Sequence, residues 1–205
     1  MSLKTRRRGT ELEDAILAAG WDVLVERGYH GFTYEAVAER AGTSRPVLYR
    51  RWPQREDLLL ATVARSWSAA PIEIPDTGHL REDMLGFLRN ADAGRSRTIM
   101  LVGVQLMEYF RETGTSFDEL RAHLRPPGQR NGCEVIVERA VGRGELPDVP
   151  YPARVVVLPF DLLRHDLLMT MRSVPDEKIV EIVDVIWLPL LRVTASEIRL
   201  TAPII

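Results

Sequence analysis

Apolar residues recur along this chain at intervals of three and four, and no segment shows the strict alternation that is typical of a β-strand. A first helix is predicted from about Thr10 to Arg27, with Thr10 as its N-cap and Glu13 completing a capping box. Gly28 is expected to end this helix in a left-handed conformation. Its apolar face consists of Leu12, Ile16, Ala19, Val23 and Leu24.

A tight turn separates the next two predicted helices. Thr33 caps the first of them, about Tyr34–Ala41, and Gly42 supplies the turn. Ser44 caps the second, which is expected to end near Arg51. Two short helices joined in this way form a helix-turn-helix, in which the second helix fits the major groove of DNA.

The rest of the chain is also predicted to be helical. A fourth helix covers about Gln54–Ala69, and the proline-containing stretch Pro71–Gly78 is a predicted linker. Further helices are predicted at about Leu80–Ala91, Arg97–Thr113, Phe117–Leu124, a stretch ending near Val141, Pro152–Met171 and Pro175–Val193. Pro159 and Pro189 should kink the last two helices or force a local repair. The predicted fold is therefore all-α, with about nine helices.

Length and composition limit the possible environments of the protein. A chain of 205 residues can bury a core without disulfides or metals. Cys133 is its one cysteine, so no internal disulfide is possible, and a reducing cytoplasm is expected. The start is polar and basic, and no apolar run approaches the roughly 18 residues of a membrane span, so neither a signal peptide nor a membrane location is expected.

Charge is distributed unevenly along the chain. The formal net charge is -2, but residues 1–55 hold 10 basic against 7 acidic side chains, while residues 56–205 hold 17 against 22. The first part therefore carries +3 and the second -5. A basic front on an acidic body is typical of a protein that contacts phosphate at one end.

The segment AILAAGWDVLVERGYHGFTYEAVAERAGTSRPVLYRRWPQREDLLLA resembles the DNA-binding domain of the tetracycline-repressor (TetR) family, over about residues 11–61. The matching positions are Ile16, Ala19, Leu24, Gly28, Tyr29, Thr33, Val37, Ala38, Ala41, Gly42, Ser44, Leu48, Tyr49, Trp52, Arg55, Glu56 and Leu58. The family usually has phenylalanine at Trp52, lysine at Arg55 and a small capping residue at Gln54. Trp52 is predicted to pack in the core, and Gln54 to anchor the fourth helix poorly.

Pattern and resemblance together predict three regions. Residues 1–9 form a basic flexible arm, residues 10–53 a three-helix helix-turn-helix DNA-binding domain, and residues 54–205 a larger helical domain for effector binding and dimerisation. Two interpretations of Arg6, Arg7 and Arg8 stay open. They contact DNA in a minor groove or on its backbone, or they belong to a solvated tail.

The outward positions near the start of the third helix are the predicted DNA readers. Arg45 is suited to a bidentate bond with a guanine edge, and Pro46 or Val47 to a thymine methyl group. Leu48 is expected to point inward. The predicted phosphate contacts are Thr33, Thr43, Ser44, Tyr49, Arg50 and Arg55. A solvated basic surface is the alternative interpretation of these positions.

The sixth predicted helix is apolar on nearly every side, so it is expected to lie inside the C-terminal domain. Gln105 and Glu108 add polar groups to an apolar wall, as a small-molecule pocket requires. The candidate effector pocket consists of Met100, Val104, Gln105, Met107, Glu108, Phe110, Phe160, Arg164 and His165. Alternatively, the polar groups lie on an outer face or bond to other parts of the protein.

The last two helices are too apolar for a monomer surface. The resemblance implies that they pair across a two-fold axis into a four-helix bundle, which makes the protein a homodimer. A purely internal core is the alternative. His30, His79, His123 and Cys133 show no metal-ligand spacing, so neither a metal nor a cofactor is expected. An unidentified small apolar effector is the one ligand implied.

These observations predict a homodimeric transcriptional regulator that binds double-stranded DNA at a near-palindromic operator, as a ligand-responsive repressor. Two alternatives stay open. One is a helix-turn-helix regulator without a small-molecule effector, and the other is an enzyme or carrier built on a helical bundle. Catalysis is not expected, because the sequence has no glycine-rich phosphate loop, metal spacing or nucleophile motif.

Overall fold

The computed structural model describes residues 9–69, 71–94, 103–104, 106–124, 128 and 130–201, and over these residues it contains helices and no strand. The elements are α1 (Thr10–Gly31), α2 (Tyr34–Ala41), α3 (Arg45–Arg51), α4 (Arg55–Ser68), α5 (Leu80–Ala93), α6 (Met107–Thr113), α7 (Phe117–Leu124), α8 (Gly132–Gly142), α9 (Ala153–Thr170), α10 (Asp176–Val180), a π-helical segment (Glu181–Trp187) and α11 (Leu188–Thr201). The all-α prediction is confirmed.

The described residues form two compact units. The first contains those of Met1–Pro71 and Val102–Pro126, and the second those of Ile72–Leu101 and Pro127–Ile205. The described part of the sixth predicted helix, α6, therefore belongs to the first unit rather than to the core of the second. The expectation that this helix lies inside the C-terminal domain is wrong for Met107–Thr113.

The first unit is built around α1, which packs against α2 and α4. Ile16 and Leu24 of α1 are fully buried, as the apolar face predicted. The helices cross closely at Gly20, where an added Cβ would lie 2.7 Å from Thr62 Oγ1. Thr62 is itself buried and donates its hydroxyl to Leu58 O at 2.7 Å, so it has no free space to move. The crossing of α1 and α4 therefore requires glycine at position 20.

Two predicted helix starts differ from the structure. Gly9, not Thr10, is the N-cap of α1, and no side chain caps this end. Gln54 is the N-cap of α4, and the Asp57 carboxylate accepts a hydrogen bond from the Gln54 N–H at 3.3 Å. The expectation that Gln54 anchors this helix poorly is therefore wrong, because Asp57 completes a capping box. Gly28 does break α1, with a φ of 67°, and one further turn follows it.

A buried carboxylate holds the linker of the second unit in place. Asp83 of α5 is fully buried and accepts hydrogen bonds from the Thr77 N–H at 2.6 Å and the Thr77 hydroxyl at 2.7 Å. Arg143 adds an ion pair with Asp83 at 3.2 Å. A buried charge is tolerated when it is paired and hydrogen-bonded in this way. Asp83 thus joins the linker, the start of α5 and the end of α8.

The core of the second unit lies between α5, α8, α9 and the terminal helices. Its fully buried side chains include Met84, Leu88, Cys133, Ile136, Ala140, Leu163, Leu167, Val183, Trp187 and Leu191. Burial raises the pKa of the Cys133 thiol to about 12, so this cysteine is a packed apolar group rather than a nucleophile.

Trp187 repairs the break that Pro159 makes in α9. Proline has no N–H, so the carbonyl four residues earlier, at Val155, has no donor within the helix. The Trp187 indole N–H donates to Val155 O at 2.9 Å. The Trp187 side chain is fully buried, so this bond satisfies an indole N–H that water does not reach, and it gives the carbonyl of half-buried Val155 a donor.

Pro189 is accommodated differently. The residues before it, Glu181–Trp187, form a π-helical segment, in which the Leu188 N–H donates to Val183 O. Hydrogen bonds to the fifth preceding residue re-register the backbone just before the proline ring. The expected local repair is thus confirmed at both prolines, by a side chain at Pro159 and by the backbone at Pro189.

A double-mutant cycle tests the role of Trp187. Trp187→Phe leaves the Val155 carbonyl without a donor, which should cost about 1–3 kcal/mol of unfolding free energy in addition to lost packing. Pro159→Ala restores a backbone donor to Val155 O, so Trp187→Phe should cost about 1 kcal/mol less in that background. Urea denaturation of the four proteins measures both values. Equal costs of Trp187→Phe in the two backgrounds would show that the indole bond contributes nothing.

Candidate DNA-binding interface

The turn between α2 and α3 is built from local hydrogen bonds. Thr33 Oγ1 accepts from the Ala36 N–H at 3.2 Å and caps α2, as predicted. Gly42 has the left-handed conformation, with φ 66° and ψ 39°, and the Thr43 N–H donates to Ala38 O at 3.0 Å. Ser44 is the N-cap of α3, but its side chain makes no capping hydrogen bond. The Ser44 hydroxyl is therefore not used within the cap.

Helix α3 is anchored on one side and open on the other. Leu48 is fully buried, which confirms the predicted inward direction of this residue. Trp52, just after the helix, is also buried and confirms the prediction of core packing. The exposed residues of this region are Ser44, Arg45, Pro46, Tyr49 and Arg50, while Thr33, Thr43, Val47 and Arg55 are half-buried. The structure thus brings the predicted readers Arg45, Pro46, Tyr49 and Arg50 onto one exposed helix.

Tyr34 of α2 supports this surface, and the sequence did not single it out. Its ring lies against that of Tyr49, with 4.2 Å between the ring centroids. Its hydroxyl donates to Trp52 O at 2.7 Å, at the end of α3. Burial raises the pKa of Tyr34, so the hydroxyl stays a donor near neutral pH. Tyr34 thereby packs against Tyr49 and connects the start of α2 to the end of α3.

Carboxylates of the same unit neutralise most arginines around α3. Arg45 pairs with Glu35 at 2.6 Å, and this bond lowers the pKa of Glu35. Two further pairs join helices of this unit, namely Arg40–Glu26 and Arg51–Glu13. Exposed pairs of this kind contribute little stability, so DNA phosphates can replace their carboxylates. Arg50 has no acceptor among the described residues, and it is the uncommitted cation of α3.

Arg55 is engaged inside the protein. Its guanidinium lies over the Tyr29 ring, 4.2 Å from the ring centroid, and donates to the Tyr29 hydroxyl. The Tyr29 hydroxyl donates in turn to Glu112 of α6 at 2.8 Å, and Arg55 lies 3.5 Å from the same carboxylate. We call Tyr29, Arg55 and Glu112 the polar triad. The triad joins α1, α4 and α6. The sequence did not indicate this contact, because Tyr29 and Glu112 are 83 residues apart.

The residues of the candidate effector pocket are divided between the two units. Four of them lie in the first unit, where Val104 and Met107 are exposed. Glu108 pairs there with His30 and Arg111. Phe110 packs on Tyr109 and Phe117. In the second unit, Phe160 packs on Phe87, Arg164 donates to Asp161 at 2.6 Å, and His165 is exposed. Met100, Gln105 and the three arginines of the predicted 1–9 arm lie outside the described residues.

Other kinds of site are not seen in the described part of the chain. No group of three or more His, Cys, Asp or Glu side chains is placed to hold a metal ion there. None of the helices described is both long enough and apolar enough to cross a membrane.

Tyr29 should titrate far above a free tyrosine. Burial, followed by the hydrogen bond to Glu112, raises its pKa from 10.0 to about 12. Because the folded-state pKa is raised, the stability contribution of Tyr29 is complete below pH 10 and is lost as the pH rises through about 12. Phenolate absorbance should therefore include a component near pH 12, equal to one tyrosine, that Tyr29→Phe removes.

Tyr49→Phe, which removes an exposed hydroxyl, is the matched control and should keep that component. The unfolding free energy of the wild type should also fall more steeply between pH 10 and 12 than that of Tyr29→Phe. A Tyr29→Phe protein with an unchanged titration curve would assign the component to another residue.

Comparisons with known proteins agree with this geometry. A family model described as bacterial regulatory proteins, tetR family, matches residues 16–62, and one described as a tetracyclin repressor-like C-terminal domain matches residues 74–186. The DNA-binding transcriptional repressor TetR of Mycobacteroides abscessus is 33% identical over 141 residues, which cover 67% of this chain and 72% of that protein. The HTH-type transcriptional regulator Rv1556 of Mycobacterium tuberculosis is 31% identical over 137 residues, 65% of each protein.

A solved structure supports the same assignment over most of the chain. The TetR family transcription regulator SCO0332 superposes with a TM-score of 0.58 at 25% identity, covering 84% of this chain and 94% of that one. The anchored reading helix and the matches to both domains lead to one conclusion: the chain belongs to the TetR family of DNA-binding transcriptional regulators.

Proposed function

We propose that this regulator reads a near-palindromic site in double-stranded DNA with two copies of α3, one from each protomer of a homodimer. The observation that carries the proposal is the exposure of Arg45, Pro46, Tyr49 and Arg50 on a helix whose inner residue, Leu48, is fully buried. A helix held this way can enter the major groove without unfolding its support.

The exposed residues of α3 have different proposed roles. Arg45 leaves Glu35 to make a bidentate bond with a guanine edge, and Pro46 and Val47 contact thymine methyl groups. Arg50 and Tyr49 bind phosphate, assisted by Thr33, Thr43 and Ser44 at the two helix starts. Arg55 is already engaged in the polar triad. Its proposed contribution to phosphate binding is therefore the positive charge that it places at the start of α4.

Arg45 and Arg50 should affect DNA binding in different ways. Arg50→Ala should weaken binding to all sequences and reduce the salt slope of affinity by about 0.9 for each protomer. Arg45→Ala should cost about 1–3 kcal/mol for the preferred site and relax the choice of base at one position in each half-site. Site selection from random duplexes and fluorescence anisotropy over a salt series measure these effects.

Arg172→Ala is the control for both variants, because Arg172 is an exposed arginine of the second unit. It should leave affinity and salt slope unchanged. If the wild type binds no duplex from a random pool, the proposed reading role of α3 fails. If Arg45→Ala keeps full base preference, only the proposed role of Arg45 fails.

An exposed apolar surface on the terminal helices supports the dimer. Ile186, Leu190 and Val193 recur at helical spacing, and all three side chains are exposed to solvent. Val193 has the largest exposed fraction of the three, 54%. We call these three residues the apolar stripe. An exposed apolar stripe on a soluble domain marks an interaction surface, and a two-fold pairing of the last two helices would bury it.

A charged residue within the stripe tests this pairing. Leu190→Glu should place two carboxylates in the buried interface and convert the dimer to monomer, as measured by sedimentation equilibrium. The monomer should lose high affinity for a two-half-site duplex, because each α3 then binds alone. Val25→Glu, at another exposed apolar position, should leave the dimer intact. A wild-type protein that sediments as a monomer would exclude the proposed assembly.

Ligand response is typical of the family, and the polar triad is the proposed route to the reader. In the sequence, α6 follows the residues of the second unit that end at Leu101, and Glu112 of α6 bonds to Tyr29 of α1. A small apolar effector that shifts this segment would change how Arg55 holds the start of α4. Such an effector acts only through different affinities for the two arrangements, typically about 1–3 kcal/mol of coupling.

The remaining features of the proposal follow from the family. We propose repression as the mode of action, supported by the relative from Mycobacteroides abscessus that is named a repressor. The protein acts in the cytoplasm, where its DNA lies, and works by binding rather than by catalysis, without a resident metal or cofactor. Val104, Met107, Glu108 and Phe110 are proposed effector contacts within the first unit, and Phe160, Arg164 and His165 within the second.

A further inference from the structure

A cleft of about 340 Å³ lies within the second unit. It is bounded by the start of α5, by residues 145–147 between α8 and α9, and by α11. Leu80, Leu146, Leu188, Leu191 and Ala195 form an apolar floor, and all five are buried. The volume is in the range of small-molecule sites, about 300–1,000 Å³, and such sites are mainly apolar with a few polar groups.

Two of the charged groups that line the cleft are already satisfied. Arg81 binds both oxygens of Asp184 at 2.7 Å, so its charge is neutralised. Glu145 accepts hydrogen bonds from the Leu80 N–H at 2.9 Å and from Arg143 at 2.7 Å. These bonds shape the rim and leave Arg81 and Glu145 little capacity to bind a ligand.

Arg192 is the cationic group of the cleft that has no acceptor among the described residues. It lies on α11 beside the apolar floor, and its carbonyl accepts the Ser196 hydroxyl at 3.1 Å. A guanidinium presents a planar pair of donors that matches a carboxylate. The cleft therefore combines an apolar floor with a single available anion-binding group.

The cleft and the apolar stripe lie on different sides of α11. The cleft uses Leu188, Leu191, Arg192, Ala195 and Ser196, whereas the stripe uses Leu190 and Val193 on this helix. At about 100° for each residue, Leu190 and Val193 point away from the centre of the cleft side. Dimerisation through the stripe would thus leave the cleft open.

We propose that this cleft binds a small amphipathic monocarboxylate. Its apolar body covers Leu188, Leu191 and Ala195, and its carboxylate forms a bidentate pair with Arg192. Arg192 is the one cation of the lining without an acceptor among the described residues, so the site can neutralise one negative charge and favours a monoanion over a dicarboxylate or a phosphate. None of the residues that line this cleft is among the candidate effector contacts, and the regulatory meaning of the cleft rests on the proposed function.

Sodium decanoate, kept below its micellar concentration, is the probe. Isothermal calorimetry with the full chain should show saturable binding to the wild type. Arg192→Gln should weaken decanoate binding about tenfold or more and leave binding of the neutral analogue decanol unchanged. Ser196→Trp, at an exposed position on the rim, should block both ligands without disturbing the core. Arg172→Gln, a matched change at an exposed arginine outside the cleft, should bind decanoate normally.

Each other outcome overturns the inference. Absence of saturable decanoate binding by the wild type removes the site, and equal binding by Arg192→Gln removes the carboxylate recognition. Binding that survives Ser196→Trp locates the ligand elsewhere. The DNA affinity of the same proteins, measured without decanoate, separates the two proposals. A wild type that binds decanoate but no DNA refutes the proposed function alone. A wild type that binds DNA but no decanoate refutes this inference alone.

Discussion

The hydrogen bond from the Trp187 indole to the Val155 carbonyl is the constraint on which the second unit depends. Pro159 removes the helical donor for that carbonyl, and a side chain 32 residues away supplies the replacement. The π-helical segment ends at Trp187 and leads directly into α11. This side chain therefore ties α9 to the residue just before the helix that carries most of the apolar stripe and part of the cleft floor.

In the reading unit, the corresponding constraint is charge balance. Arg40, Arg45 and Arg51 each have a carboxylate partner on a neighbouring helix, and Arg50 alone on α3 has none among the described residues. The reader is thus not a uniformly basic surface. In the proposed DNA-binding role, DNA would compete with Glu35 for Arg45.

The polar triad joins residues of the first unit that are far apart in the sequence. Glu112 is 83 residues from Tyr29 in sequence, yet the two side chains bond at 2.8 Å. Tyr29 comes directly after the break at Gly28, so the short turn that follows the break carries the residue that bonds to Glu112. Arg55 is the first residue of α4 and stands where the family usually has lysine. Its guanidinium pairs with Glu112.

The sequence by itself determined the all-α class, the α2–turn–α3 layout and the outward residues of α3. These depend on local physics: helical periodicity, the Thr33 cap and the left-handed Gly42 act within a few residues. The tertiary structure alone decided the partners of Arg45 and Arg55, the support of Tyr49 by Tyr34 and the grouping of α6 with the first unit. Partners separated by 10 to 83 residues leave no periodic signal, because their meeting depends on how whole helices pack.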